Sequence, residues 1–160
     1  MTKAHSGMSI GHVHLKVTDL ARSIAFYRDV MGFDLTQRYG DQAAFLSAGG
    51  YHHHIGLNTW FSKGATAAPK RNPGLFHVAF LYPDRVALAQ ALKSVLDAGV
   101  AIEGTADHGV SEAIYFSDPD GNGIEIYRDR PEADWPRDAQ GQLEMTNAPL
   151  DLESVLRELA

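Results

Sequence analysis

The chain has 160 residues, 44% of them hydrophobic, with no cysteine and a formal net charge of −6. A chain of that length buries roughly two-thirds of its unfolded surface without disulfide staples, and the lack of cysteine fits a reducing compartment. There is no basic cluster, no apolar run of the ~20 residues a membrane span needs and no signal-peptide core in "MTKAHSGMSI". Nucleic acid and membrane are therefore set aside as partners, and a cytoplasmic globular protein is expected.

The first predicted element is a strand over "IGHVHLKV", Ile10 to Val17, which alternates and is bounded by glycine and by "TDL". Thr18 and Asp19 then offer helix caps. Leu20, Ile24, Tyr27 and Met31 keep helical spacing until Gly32 stops the run. "DLTQRYG", "AAFLSAGG" and "YHHHIGLNTW" read as three short strands. "FSKGATAAPKRNPG" has the glycine, proline and short polar residues of a linker.

The order then repeats. "GLFHVAFLY" is a strand and Asp84 to Gly99 a helix. "VAIEGTADH", "SEAIYFSD" and "NGIEIYRD" are strands. The expected fold class is α+β, built of two βαβββ modules over about residues 8–60 and 74–130 of a domain covering 1–130. A tail, 131–160, follows. In it Leu152, Val155, Leu156 and Leu159 form one apolar stripe of a short helix.

Superposing the halves pairs His12 with His77, each seven residues before a helix-opening aspartate, Asp19 or Asp84. Counting on from Gly50 and Gly121 pairs His54 with Glu125, so four side chains of ligand type occupy matched places. All four are possible metal ligands. Strand alternation places His12, His14 and Lys16 on one face, Glu125 and Tyr127 on one face, and His52 with His54 opposite His53. His53 is then read as structural, and His14 as either pocket wall or packing. "DPDGNG" lies between strands and reads as a turn. Ser111 near His108 and Asp107 lacks any nucleophile elbow.

This arrangement resembles the vicinal oxygen chelate superfamily of glyoxalases, fosfomycin-resistance proteins, bleomycin-binding proteins and extradiol dioxygenases. "SAGGYHHHIGLNTW", "GLFHVAF" and "DHGVSEAIYFSDPDGNGIEIYRDRP" are most similar to the extradiol enzymes of the catechol 2,3-dioxygenase type. The resemblance implies two modules related by a pseudo-twofold around an open-barrel metal cup, with His12, His77 and Glu125 as metal ligands. It implies Fe(II), with Mn, Zn or Ni as alternatives, and a small aromatic diol and O2 as substrates. His54 would be the acid/base group beside the metal, and Tyr115 and His108 would bind and polarise the substrate. His52 and His14 would line the pocket. Many extradiol enzymes carry two module pairs. This chain has one, so further shielding is expected from a second copy in a dimer or from the tail. Two other readings stay open: a glyoxalase-like isomerase or lyase with His54 as a fourth ligand to Zn or Ni, and a ligand-binding resistance-type protein.

Overall fold

The computed structural model describes residues 3–160; Met1 and Thr2, the start of the N-terminal stretch read above, lie outside the described residues. The chain divides into two compact units, Met1–Ala67 and Ala68–Ala160. The first contains β1 (Val13–Lys16), α1 (Leu20–Ala25), β2 (Asp34–Tyr39), β3 (Ala43–Ser47) and β4 (Ile55–Asn58). Its sheet runs in the order β1-β4-β3-β2, with β1 parallel to β4 and the other pairs antiparallel.

Asp19 caps α1 by accepting from the Arg22 N–H, as its place before the apolar run requires. The predicted helix does not continue regularly to Met31. Over Phe26–Val30 it widens into a π-turn, closed by Met31 N–H donating to Phe26 O at 3.1 Å. Phe26 and Tyr27, both buried, lie in this wider turn.

The second unit repeats the plan: β5 (Val78–Tyr82), α2 (Arg85–Asp97), β6 (Gly104–Asp107), β7 (Ser111–Ser117) and β8 (Gly123–Asp129), with sheet order β5-β8-β7-β6. Asp84 caps α2. Strand alternation sorts the faces. Ile124 and Ile126 are fully buried beneath α2 with Leu88, Leu92 and Val95, so Glu125 and Tyr127 project from the opposite, open face. The tail belongs to this unit. Its helix α3 (Leu152–Leu156), capped by Asp151, packs Val155 against α2 and ends in a 3-10 turn, Arg157–Leu159. Among the described residues no helix is long and apolar enough to cross a membrane.

A charge cluster fastens this tail. Glu112, on buried strand β7, accepts from Arg85 Nε at 3.0 Å, Arg128 Nε at 2.8 Å and Arg130 Nη2 at 3.3 Å. Arg85 also donates to Ser154 Oγ at 2.8 Å and Glu158 Oε1 at 2.6 Å, tying α2 to α3. Removing one partner strands the others in a poorly solvated place. Glu112→Ala is therefore expected to cost about 3–5 kcal/mol. For a chain of this size that lowers Tm by roughly 10 °C, a shift scanning calorimetry would read directly. A shift of a degree or less would show that water already screens the cluster.

Candidate metal centre

His12 and His77 immediately precede β1 and β5, and the residues after them, Val13 and Val78, pair with Ile55 and Ile124 in the same parallel register. The two histidines are therefore structural equivalents, as the repeat predicts. The other pairing needs correction. The register sets His14 opposite Gly56 and Ala79 opposite Glu125, so Glu125 corresponds to Gly56, and His54 corresponds to Gly123. The predicted match of His54 with Glu125 was two residues out. The connection between β3 and β4 spans residues 48–54 and that between β7 and β8 only 118–122, so the first unit has the longer one, whereas counting on from Gly50 and Gly121 puts the extra residue in the second.

In the second unit His77 Nε2 lies 2.9 Å from Glu125 Oε2, on the open face of the sheet. Two donors about 2.1 Å from one ion at right angles would stand roughly 3.0 Å apart, so the pair is set as neighbouring ligands would be. His77 Nδ1 is buried with no hydrogen-bond partner among the described residues. Nothing thus forces that nitrogen to be the bare one, and the ring can present the Nε2 lone pair that ligation needs. The donor set fits a first-row divalent ion. Among the described residues no group of three or more His, Cys, Asp or Glu side chains is poised as a complete cage. The second unit contributes a pair.

Tyr115 stands opposite Glu125 in the β7–β8 ladder, and its ring lies 5.7 Å from that of His77. Burial, and then the Glu125 carboxylate, push its phenol up, so it stays protonated and can donate. The Tyr115 hydroxyl meets His108 Nε2 at 3.2 Å. His77, Glu125, Tyr115 and His108 thus form one connected group.

The first unit carries a different cluster. The three histidines of "YHHH" precede β4 and do not belong to it, so strand alternation does not sort their faces. His53, read as turned away and structural, instead packs its ring 4.5 Å from that of His12 and 5.0 Å from Phe45, with its Nδ1 2.8 Å from His52 Nδ1. Burial, with the surrounding His12, His52, His14 and His54, pushes His53 down and keeps it neutral near pH 7. His14 is pushed down by burial and by His12. Its ring lies over Gly56, where an added Cβ would come within 2.8 Å of it, and 5.8 Å from Trp60. An open hollow of about 260 Å³ is lined by Thr36, Gln37, Phe45, His52 and His53.

His54 points elsewhere. Its Nδ1 accepts from Ala48 N–H at 3.3 Å and lies 3.1 Å from Ser47 Oγ. A backbone N–H can only donate, so the neutral ring carries its proton on Nε2. Its counterpart must be glycine: a Cβ at Gly123 would meet Phe76 O at 2.2 Å.

Residues 9–126 match the family model described as the Glyoxalase/Bleomycin resistance protein/Dioxygenase superfamily. The chain belongs to this superfamily. It is 43% identical over 99% of its length to the catechol-2,3-dioxygenase of Bacillus subtilis (strain 168), covering 54% of that protein. It is 31% identical over 75% of its length to biphenyl-2,3-diol 1,2-dioxygenase 3 of Rhodococcus globerulus, covering 63% of it. The chain thus spans between half and two-thirds of these curated relatives. A glyoxalase/dioxygenase crystal structure from Nostoc punctiforme shares the fold, with a TM-score of 0.66 at 19% identity over 82% of this chain and 99% of that one.

Within this superfamily plan, the register makes the modules unequal. Where unit two has Tyr115 and Glu125, unit one has Phe45 and Gly56. The sequence reading missed this exchange, the ring contacts of His53 and the hold of the tail on His108. Only the first left a signal, in the Phe45/Tyr115 match of "FLS" with "YFS".

Proposed function

We propose that the chain is a metal-dependent extradiol dioxygenase that cleaves a catechol-type diol with O2, using His12, His77 and Glu125 as ligands. The observation that carries this reading is the His77–Glu125 pair with Tyr115 and His108 beside it on one sheet face. The reading takes His12, the register equivalent of His77, as the third ligand. Fe(II) is the ion this triad favours, with Mn, Zn or Ni as alternatives. When bound, the ion supplies Lewis acidity toward a chelating diol and a template that holds both substrates.

The chain's own residues do the rest. Tyr115, kept protonated, hydrogen-bonds a diol hydroxyl and is steadied by His108. His54, with its ring proton on Nε2, presents that N–H as a hydrogen-bond donor to a reacting oxygen. His52 lines the hollow with the neutral His53, and His14 stands near them as a further wall residue. Exposed Ile10, Phe61 and Phe76, each 88% or more accessible, support self-association.

Protein purified without oxygen should contain close to one iron per chain and should consume oxygen when catechol is added, forming a coloured ring-opened semialdehyde. Zinc or nickel without oxygen uptake would move the assignment to a glyoxalase-like isomerase or lyase. Absence of metal would move it to a ligand-binding protein.

A further inference from the structure

The tail does more than cover α2. Residues 146–148 lie along β6: Asp107 N donates to Ala148 O at 2.7 Å, Ala148 N donates back to Asp107 O at 3.0 Å, and Thr146 N donates to His108 O at 2.9 Å. The Thr146 hydroxyl adds a bond to Asp107 O at 3.2 Å. From the other side the tail presses on the turn after His108. Gly109 has φ +74°, and a Cβ there would stand 2.7 Å from Pro136 Cγ. The short turn between β6 and β7, which carries His108, is therefore gripped from two sides.

One contact of this grip reaches the candidate site. His108 Nδ1 lies 3.0 Å from the Thr146 carbonyl oxygen, and its Nε2 lies 3.2 Å from the Tyr115 hydroxyl. A carbonyl oxygen can only accept, whereas a phenol can give or take. We propose that the Thr146 carbonyl is a positioning group that keeps a proton on His108 Nδ1, leaving Nε2 bare as the acceptor of the Tyr115 hydroxyl.

The catalytic consequence rests on the ring-cleavage reading. While Nε2 is bare, Tyr115 donates to it and turns oxygen lone pairs toward the diol. Without the Thr146 carbonyl the neutral ring is free to place its proton on Nε2, and Tyr115 loses its acceptor. The tail thereby selects which way the hydroxyl points.

The test is nitrogen NMR on the full chain labelled with 15N-histidine, without added metal, with the His108 signals assigned by their loss in His108→Gln. Wild type should show a protonated Nδ1 and a bare Nε2 for this ring. Thr146→Pro removes the N–H bond to His108 O and the hydroxyl bond to Asp107 and should give a tautomer mixture, whereas Thr146→Ser should retain the wild-type pattern. In the metal-loaded protein, Thr146→Pro should lower kcat toward catechol by roughly 10–100-fold, as small misplacements of a substrate-facing group do, with KM little changed. A wild-type ring protonated on Nε2, or an unchanged pattern in Thr146→Pro, would overturn the proposal. If Thr146→Pro does not fold, the wild-type spectrum decides alone. Lack of ring cleavage in wild type would overturn the functional reading and leave this spectroscopic result standing.

Discussion

Glu125→Ala is expected to yield a folded protein that no longer retains its metal and turns over catechol at least roughly 10³-fold more slowly. The size follows from losing several kcal/mol of charge stabilisation at about 1.4 kcal/mol per decade. Folding should survive because Glu125 projects from the open face, between fully buried Ile124 and Ile126, which hold β8 beneath α2. His77→Ala should behave the same way, since His77 Nε2 meets that carboxylate at 2.9 Å. Elemental analysis of anaerobically purified variants, alongside circular dichroism, separates the outcomes. A variant with near-stoichiometric metal would remove the altered residue from the ligand set. A variant without secondary structure would show the pair to be a structural ion pair instead.

His54 should give the opposite combination, with metal kept and rate lost. Its Nδ1 is occupied as an acceptor from Ala48 N–H, so the neutral ring offers an N–H at Nε2. A ring in that state is a poor ligand and a good hydrogen-bond donor. Replacing His54 by phenylalanine or asparagine should lower turnover by roughly 10²–10³, the usual range for losing a preorganised donor to a reacting oxygen. Iron per chain should match the wild type. Loss of iron would make His54 a fourth ligand and favour the isomerase or lyase chemistry. Unchanged turnover would leave it as pocket lining.

Much of this was legible in the sequence because strand and helix periods are strong where one face is buried. Alternation around Ile124 and Ile126 located β8 and placed Glu125 on the open face, and Asp19 and Asp84 were recognisable caps. The equivalence of His12 and His77 held because both sit one residue before a strand that pairs in the same register. "YHHH" failed for the same physical reason. Gly49 and Gly50, at φ +66° and +81°, turn the chain, and no period marks where the strand resumes. Rings outside a strand are arranged by contacts with one another, as His53 is with His12 and Phe45. The tail was less legible still. Its bond to His108 uses the backbone carbonyl of Thr146, a group every residue has. The clamp on Glu112 joins residues as far apart in sequence as Arg85 and Glu158.

The exchange of partners between His14–Gly56 and Ala79–Glu125 also bears on how such a duplicated protein can change. Two copies of one module begin with equal chances of acquiring a carboxylate at this rung of the sheet. Here the His14 ring already fills the space above Gly56, and any side chain at that position would collide with it at 2.8 Å. Gly56→Glu alone meets a steric barrier, and His14→Ala alone opens a space that nothing fills. The two changes together would set a carboxylate at this rung of the first unit, and Phe45→Tyr would still be needed to match Tyr115. Several substitutions, and not one, thus separate the first unit from the residue set of the second.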